Sequence, residues 1–371
     1  MTNEIDDLFS EIERGRAGKN QGFGMGLPKL EGVIDGVCAS TYTLIFAGTG
    51  NGKSSFALYS YVYRPLMEHL DDGKFKCTYF SLEMSAKTIL ARLLCLYIFD
   101  TYGICLSPKE IFSRRKNYVL CDEYYNLIKE CRPWLEKVRK AVKIYDKTCN
   151  ASYLYKKLIA ELRTTGKLEV VNAGEEVEIL YEAFDPELIH NVVIDHIGLV
   201  KAKDLKAEID AVSRILVMLR NACGISPVVI MQINRASGDM ERRKQGLNNL
   251  TLNDVKDSGN PTQDCEVAIS IFNPHREKLG SYAGYDIKKL EDNFRVITVQ
   301  KARDGQSSVE IGVNFFGKMG YWHELPKSNE INDYGKYTNP DYILKQELEE
   351  CEIKMNSATD KNGKTTFKFT M

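Results

Sequence analysis

The stretch that decides the fold is residues 43–54, which read T-L-I-F-A-G-T-G-N-G-K-S. An apolar run precedes three glycines at alternate positions, and the loop ends on Lys53 and Ser54. Glycines at this spacing let backbone N–H groups converge on an anion, and the N-terminus of a following helix faces the same anion. The stretch therefore predicts a phosphate site between a strand and a helix.

The spacing matches a P-loop, with Ala47 where the strict pattern has glycine. In a P-loop the lysine reaches the outer phosphates of a nucleotide and the next hydroxyl binds Mg²⁺, so we predict ATP and Mg²⁺ as cofactors. A glycine-rich turn without a ligand is the alternative, which the strand-like run before the loop and the helical pattern after it disfavour. The predicted nucleotide contacts are Gly48, Thr49, Gly50, Asn51, Gly52, Lys53, Ser54 and Ser55.

Apolar runs alternate with helical stretches around this loop. The predicted strands are Tyr42–Ala47, Cys77–Ser81, Val192–Asp195 and Val228–Gln232, and the predicted helices are Ser54–Leu70, Ser85–Thr101 and Leu205–Cys223. This alternation predicts an α/β fold with a mostly parallel sheet flanked by helices. After Cys265 we expect antiparallel strands, because strand patterns joined by turns follow at Glu266–Phe272, Arg295–Lys301 and Ser308–Phe315.

Three segments flank or interrupt the predicted core domain, residues 27–330. In residues 1–26, apolar side chains at helical spacing (Ile5, Leu8, Phe9 and Ile12) precede a glycine-rich linker, and this helix either folds back or docks on a neighbouring subunit. Residues 107–167 are rich in Tyr, Lys and Glu and are interpreted as a helical insertion. Residues 331–371 are predicted to form a C-terminal helix and tail.

Composition excludes several classes of protein. A chain of 371 residues with 43% hydrophobic and 27% charged residues is not largely disordered. No apolar run reaches about 18 residues and no secretory signal is present, so we predict a cytoplasmic protein without a membrane partner. The ten cysteines form no C-x-x-C pair, which disfavours a zinc site. The net charge of -1 gives no global basic field, so nucleic acid would be held by local loops.

Two acidic residues lie where predicted strands end. Asp195 closes the run V-V-I-D and is a candidate for holding Mg²⁺ at the carboxyl edge of a parallel sheet. Glu83 follows the next-strand pattern F-S-L-E-M and is a candidate for orienting or deprotonating the attacking water. Taken alone, each acid is also compatible with a solvated surface position.

Gln232 ends another apolar strand, from which its amide can detect a γ-phosphate, or it merely caps the strand. The polar residues that follow are predicted to contact phosphates of a single strand of DNA, with a solvated loop as the alternative. These candidates are Arg235, Arg242, Arg243, Lys244, Lys256, Asp257 and Gly259.

Lys301 and Arg303 occupy alternate positions at the end of a predicted strand, so both side chains are expected on one face. Because Lys53 already serves the nucleotide of its own chain, this second pair suits a finger that acts on a neighbouring subunit. The alternative is a cationic strand edge that prevents aggregation.

The order of the motifs resembles the RecA-like motor domain of DnaB-type replicative helicases over about Gly22–Trp322. The motifs are A-G-T-G-N-G-K-S, F-S-L-E-M, V-V-I-D-H, M-Q-I-N-R, D-S-G-N-P-T-Q-D and Q-K-A-R-D-G. The resemblance implies a ring hexamer that uses ATP to move on single-stranded DNA and to unwind forked DNA in the 5′ to 3′ direction. It also implies a primase or a helicase loader as candidate partners.

The resemblance assigns roles to positions of this sequence. Lys53 and Ser54 match the P-loop, Glu83 the catalytic base, Asp195 the Mg²⁺ acid, Gln232 the sensor, Lys301 and Arg303 the pair that acts across subunits, and Lys256, Asp257 and Gly259 the central DNA loop. Residues 3–16 resemble the linker helix that packs on the next subunit. His196 stands where the family usually has an aromatic residue.

The short segment before Gly22 suggests a phage or plasmid version without the family's N-terminal domain. Two other functions remain open. A RecA-like recombinase would form filaments and exchange strands. A non-helicase ATPase switch would bind protein partners only and would not need the basic loop.

Overall fold

The computed structural model describes residues 4–173, 176–233, 250–256, 259–303 and 305–345. Its strands, in chain order, are β1 (Thr43–Ala47), β2 (Phe75–Ser81), β3 (Val142–Tyr145), β4 (Gly166–Ala173), β5 (Glu176–Ala183), β6 (Ile189–Asp195), β7 (Ser226–Gln232), β8 (Val267–Phe272), β9 (Ser281–Tyr282), β10 (Tyr285–Asp286), β11 (Phe294–Ala302), β12 (Val309–Phe316) and β13 (Tyr321–Glu324).

The α-helices begin and end close to the predicted positions. They are α1 (Glu4–Arg16), α2 (Pro28–Ile34), α3 (Lys53–Leu58), α4 (Arg64–His69), α5 (Ala86–Tyr102), α6 (Pro108–Ile111), α7 (Asp122–Glu130), α8 (Arg132–Ala141), α9 (Ala151–Leu162), α10 (Leu205–Cys223), α11 (Asn260–Asp264), α12 (Ile287–Leu290) and α13 (Tyr334–Tyr337). A π-helical turn, Tyr59–Tyr63, joins α3 to α4. The long α10 starts where the Asp204 side chain accepts a hydrogen bond from Ala207 N and ends at Gly224, which adopts a left-handed conformation.

One nine-stranded sheet runs through the protein in the order β13-β12-β11-β8-β1-β7-β6-β2-β3. The six strands from β8 to β3 are parallel, and β11, β12 and β13 continue the sheet in antiparallel pairing. The predicted α/β fold, with its antiparallel C-terminal strands, is therefore confirmed. Because β1, β6, β7 and β2 are parallel, their carboxyl ends meet at one edge of the sheet, which we call the P-loop edge.

The central strand β1 is buried on both faces. Leu44 and Phe46 pack into one hydrophobic cluster with α9 and α10, whereas Ile45 and Ala47 pack into a second cluster with α3, α4 and α5. This division follows from the two-residue period of a strand. A strand covered on both faces holds the loop after it in a fixed position.

The segment 107–167 differs from the prediction of a wholly helical insertion. It contains α6 to α9, but residues 142–145 form β3, which pairs with β2 as the last strand of the central sheet. The helical interpretation is wrong there because V-K-I-Y is too short for its apolar spacing to distinguish a strand from a helix. The sequence also gave no indication of the hairpin formed by β4 and β5.

The N-terminal segment divides at about residue 22. Phe23 pairs with Val37 through backbone hydrogen bonds, and Met25 is fully buried, so the end of the expected flexible linker packs on the core. Before that point, α1 exposes its apolar side chains, with Leu8 and Phe9 58% and 60% accessible. A fold-back of α1 would have buried this face.

After α13 the chain is again helical at residues 340–345, as expected, and the rest of the tail lies outside the described residues. Among the residues that the structure describes, no helix combines the length and the apolar character needed to span a bilayer.

Candidate functional site: the P-loop edge of the sheet

The loop between β1 and α3 has the conformation that the sequence predicts. Gly50 and Gly52 have φ angles of +75° and +99°, which side-chain-bearing residues rarely adopt. A Cβ atom at Gly52 would also lie 2.8 Å from Trp322 Cζ2. The Lys53 ammonium donates hydrogen bonds to the carbonyl oxygens of Ala47 (3.0 Å) and Gly48 (2.9 Å).

Lys53 and Asp195 are both buried beside this loop. Burial lowers the pKa of Lys53 to about 8, and the charges of Asp195 and Glu83 oppose that effect. Burial also raises the pKa of Asp195, although the hydrogen bonds from Ser54 and Tyr79 work in the other direction. The two charged groups therefore lie in a setting with little water, where a cation and phosphates interact strongly with them.

The side chain of Asp195 connects the loop to β6. Ser54 Oγ donates to Asp195 Oδ1 at 2.8 Å, and Tyr79 OH donates to Asp195 Oδ2 at 2.8 Å. A hydroxyl and a carboxylate in direct contact are the oxygen donors that Mg²⁺ prefers. Ser54 and Asp195 thus fit a magnesium site, and the glycine-lined loop fits the phosphates of a nucleotide.

Glu83 lies just beyond the end of β2 and is exposed. Its charge acts on Lys53, Asp195 and His196, which places the carboxylate on the open side of the same group. An exposed carboxylate at this place retains access to water.

Gln232 ends β7 next to the loop, in register with Ala47. Its side-chain amide donates to His196 Nε2 at 3.1 Å, and burial lowers the pKa of His196. The backbone oxygen of Gln232 accepts a 2.8 Å hydrogen bond from Lys256 N. Gln232 therefore contacts both the residue after Asp195 and the segment that carries the DNA-loop candidates.

The DNA-loop candidates are only partly visible. Arg235, Arg242, Arg243, Lys244 and Asp257 lie outside the described residues. Gly259 approaches α10 so closely that a Cβ atom there would be 2.1 Å from Asp210 Oδ1, and the adjacent Asn260 N donates to that oxygen at 2.9 Å.

Lys301 and Arg303 lie at the opposite edge of the sheet. Ala302 pairs with Val267 and Ala47 pairs with Ile271, so about four residues at about 3.3 Å each separate the two levels. The Lys301 ammonium donates to Gln263 O at 3.0 Å, and Arg303 Nη1 lies 3.4 Å from Glu266 Oε1. The structure does not bring these two cations to the P-loop of their own chain.

Three arginines that the sequence analysis did not single out contact the P-loop and the start of α3. Arg92 Nη1 donates to Ser55 Oγ at 3.0 Å, Arg276 Nη1 to Thr49 O at 3.2 Å and Arg295 Nε to Asn51 O at 3.3 Å. Arg295 reaches the loop because β11 is antiparallel and therefore begins at the P-loop edge. A charged residue inside an apolar strand pattern is the one sequence signal that pointed to it.

A strand, a phosphate loop and a helix, followed by an acid on a neighbouring parallel strand, define the class as a RecA-like P-loop NTPase core. Residues 156–324 match the family model of the DnaB-like helicase C terminal domain, which confirms the resemblance and makes this part of the chain a DnaB-like helicase domain. The matched range includes Asp195, Gln232, Lys301 and Arg303, whereas the P-loop precedes it.

Solved structures extend the likeness of the fold to the P-loop. One whose title describes an isolated "ATPase Domain" is 18% identical, with a TM-score of 0.63, over 88% of this chain and 100% of that one. The structure titled "The Structure Of A DnaB-Like Replicative Helicase And Its Interactions With Primase" is also 18% identical, with a TM-score of 0.61, over 88% of this chain and 68% of that one. No curated protein sequence matches the chain.

Proposed function

We propose that this protein is an ATP-dependent replicative DNA helicase, a ring hexamer that moves on single-stranded DNA and unwinds forked DNA in the 5′ to 3′ direction. The observation that carries the proposal is the position of Gln232. Its side chain contacts His196, next to Asp195, and its backbone binds Lys256 of the DNA-loop segment. A change at the nucleotide is thereby transmitted to the residues that hold DNA.

The residues at the P-loop edge divide the hydrolysis among them. Mg²⁺ and ATP, when bound, supply the reactive phosphoanhydride. Lys53 leaves the carbonyl oxygens of Ala47 and Gly48 to neutralise phosphate charge, and Ser54 and Asp195 hold the metal. Glu83 orients and deprotonates the attacking water from the open side, and Gln232 detects the γ-phosphate.

The opposite edge of the sheet supplies the second half of the site. Lys301 and Arg303 are separated from their own P-loop by the length of β8. Arg303 remains 71% accessible in spite of its ion pair with Glu266. In a ring each subunit presents this edge to the P-loop edge of its neighbour, where the two cations stabilise the charge that develops on the phosphates.

The helix α1 holds the ring together by docking on the next subunit. Between α5, α6 and α8 lies a groove with an apolar floor that includes Leu90, Leu94 and Phe112 and a rim that carries Lys87, Arg132 and Arg139. The exposed face of α1 is apolar and its flanks are acidic, so the two surfaces are complementary in polarity and in charge. The N-terminal helix of a second copy is therefore the proposed occupant.

ATP hydrolysis measured with and without single-stranded DNA tests the proposal. We expect severalfold stimulation by DNA, and loss of both rates in Lys53→Ala. An ATPase rate that is indifferent to DNA would favour the switch that binds protein partners only.

Electron microscopy with a slowly hydrolysed ATP analogue and a forked DNA separates the remaining alternatives. Closed rings are expected, and Phe9→Asp on α1 is expected to open or dissociate them. Open helical filaments would favour a recombinase. We place the protein in the cytoplasm, with a primase or a helicase loader as further partners of the ring.

A further inference from the structure

The carbonyl groups of the P-loop are held by two kinds of donor. Those of Ala47 and Gly48 accept from Lys53, which must turn away when it binds phosphate. Those of Thr49 and Asn51 accept from Arg276 and Arg295, which approach from the antiparallel part of the sheet. Only the second pair of contacts can persist when a nucleotide enters.

Arg295 is fixed in place by its surroundings. Its side chain is 2% accessible and its Nη1 donates to the carbonyl oxygens of Asp292 (2.5 Å) and Phe294 (2.8 Å). The guanidinium lies 5.4 Å from the centre of the Phe315 ring, which stacks on Trp322 at 4.5 Å. A buried cation with this many partners has little freedom to move.

The same layer of side chains contacts the P-loop a second time. Trp322 lies against Gly52, where a Cβ atom would be only 2.8 Å from its ring. The loop therefore rests on Trp322 at Gly52 and is held by Arg295 one residue earlier, at Asn51.

Asp292 joins the two arginines. Its Oδ1 accepts a 2.8 Å hydrogen bond from Asn273 Nδ2 and lies 3.5 Å from Arg276 Nε and 3.7 Å from Arg295 Nη2. The carboxylate balances one of the two positive charges beside the loop. It also orients both guanidinium groups towards the loop carbonyls.

We propose that Arg295 is a positioning residue that, with Asp292, holds the P-loop in its phosphate-binding shape before nucleotide arrives. The inference rests on the proposed nucleotide site and extends it to the strand β11. A loop that is already ordered loses less conformational freedom on binding, so this contact strengthens nucleotide binding. Because the ground state and the transition state both need the ordered loop, KM changes and kcat changes little.

The test uses Arg295→Met, which keeps much of the volume but removes every donor. The control is Ile297→Ala, two residues along the same strand, where a fully buried side chain loses only packing contacts. Binding of Mg²⁺ and ADP is measured by calorimetry, and hydrogen exchange of the backbone amides of residues 48–54 is measured on the protein without nucleotide.

We expect Arg295→Met to weaken ADP binding about tenfold, as for one lost charged hydrogen bond, and to raise KM for ATP similarly. Its loop amides should exchange faster, whereas the control should leave both measurements close to wild type. Asp292→Asn, which removes the exposed charge and spares the buried stack, should move both in the same direction by a smaller factor. This variant keeps the test decisive if Arg295→Met does not fold.

Wild-type affinity and exchange in Arg295→Met or in Asp292→Asn would overturn the inference, as would equal weakening in Ile297→Ala. None of these measurements uses DNA. A wild-type protein that binds ADP but never unwinds DNA would therefore contradict the proposed function and leave the role of Arg295 intact.

Discussion

Ser54 Oγ donates a 2.8 Å hydrogen bond to Asp195 Oδ1, which joins the start of the P-loop helix to the end of β6. Both groups are oxygen donors, and Asp195 has no accessible surface. A carboxylate so deeply buried needs partners or a cation to balance its charge. The contact therefore marks where we expect Mg²⁺ to bind.

Asp195→Asn should lower kcat for ATP hydrolysis by about 100-fold or more, because the amide keeps the shape but removes the charge that holds the metal. Binding of ADP without Mg²⁺ should change little, since the loop and Lys53 remain. Steady-state hydrolysis and calorimetry check the two parts. Hydrolysis within threefold of wild type would contradict the assignment of Asp195.

Glu83→Gln should abolish hydrolysis and spare binding. The exposed carboxylate has no role in holding the loop, and a general base contributes about 100-fold or more to the rate. We expect an ATP-bound protein that no longer turns over, measured by single-turnover hydrolysis beside equilibrium binding. A variant that loses ATP affinity and keeps kcat would show that Glu83 binds nucleotide and does not activate water.

Arg303→Ala should retain nucleotide binding but inhibit wild-type protein when the two are mixed, because each altered subunit disables the site of its neighbour. The measurement is ATPase rate against the fraction of variant at constant total protein. Lys156→Ala, which removes an exposed cation on α9, is the matched control and should dilute activity linearly. A linear dependence for Arg303→Ala as well would place its action within its own subunit or outside catalysis.

Acid should destabilise the fold through His190. Burial lowers the pKa of this side chain to about 4, and its Nε2 lies 2.9 Å from Thr78 Oγ1. Between pH 6.5 and about 4 the unfolded chain binds a proton that the folded chain does not, so stability falls as the pH falls through this window. The contribution lost is about 3 kcal/mol.

Urea unfolding at about pH 7 and about pH 4.5 measures the effect. His190→Gln should reduce the difference between the two pH values, whereas His275→Gln, at an exposed position, should not. An unchanged pH dependence in His190→Gln would show that other groups cause the acid sensitivity.

The sequence predicted the parts of this molecule that depend on local pattern. The strand, loop and helix around Lys53 follow from glycine spacing, and Asp195 and Gln232 follow from the ends of apolar runs. Their contacts with Ser54 and His196 could not be predicted, because they depend on which strands become neighbours in the sheet.

Other features depend on contacts far apart in the chain. Arg295 lies 244 residues from Asn51 and reaches it only because β11 reverses direction relative to β8. The strand β3 depends on pairing with β2, since its four residues carry no reliable period of their own. The separation of Lys301 from its own P-loop has the same origin, although the sequence analysis anticipated a role in a neighbouring subunit.

The most direct test of the account is unwinding of a forked DNA duplex labelled on one strand, measured with ATP and Mg²⁺. We predict strand separation by the wild-type protein when the fork has a 5′ single-stranded tail, and none by Lys53→Ala at equal concentration. A wild-type protein that hydrolyses ATP yet leaves the fork intact would contradict the central claim, as would equal unwinding by Lys53→Ala.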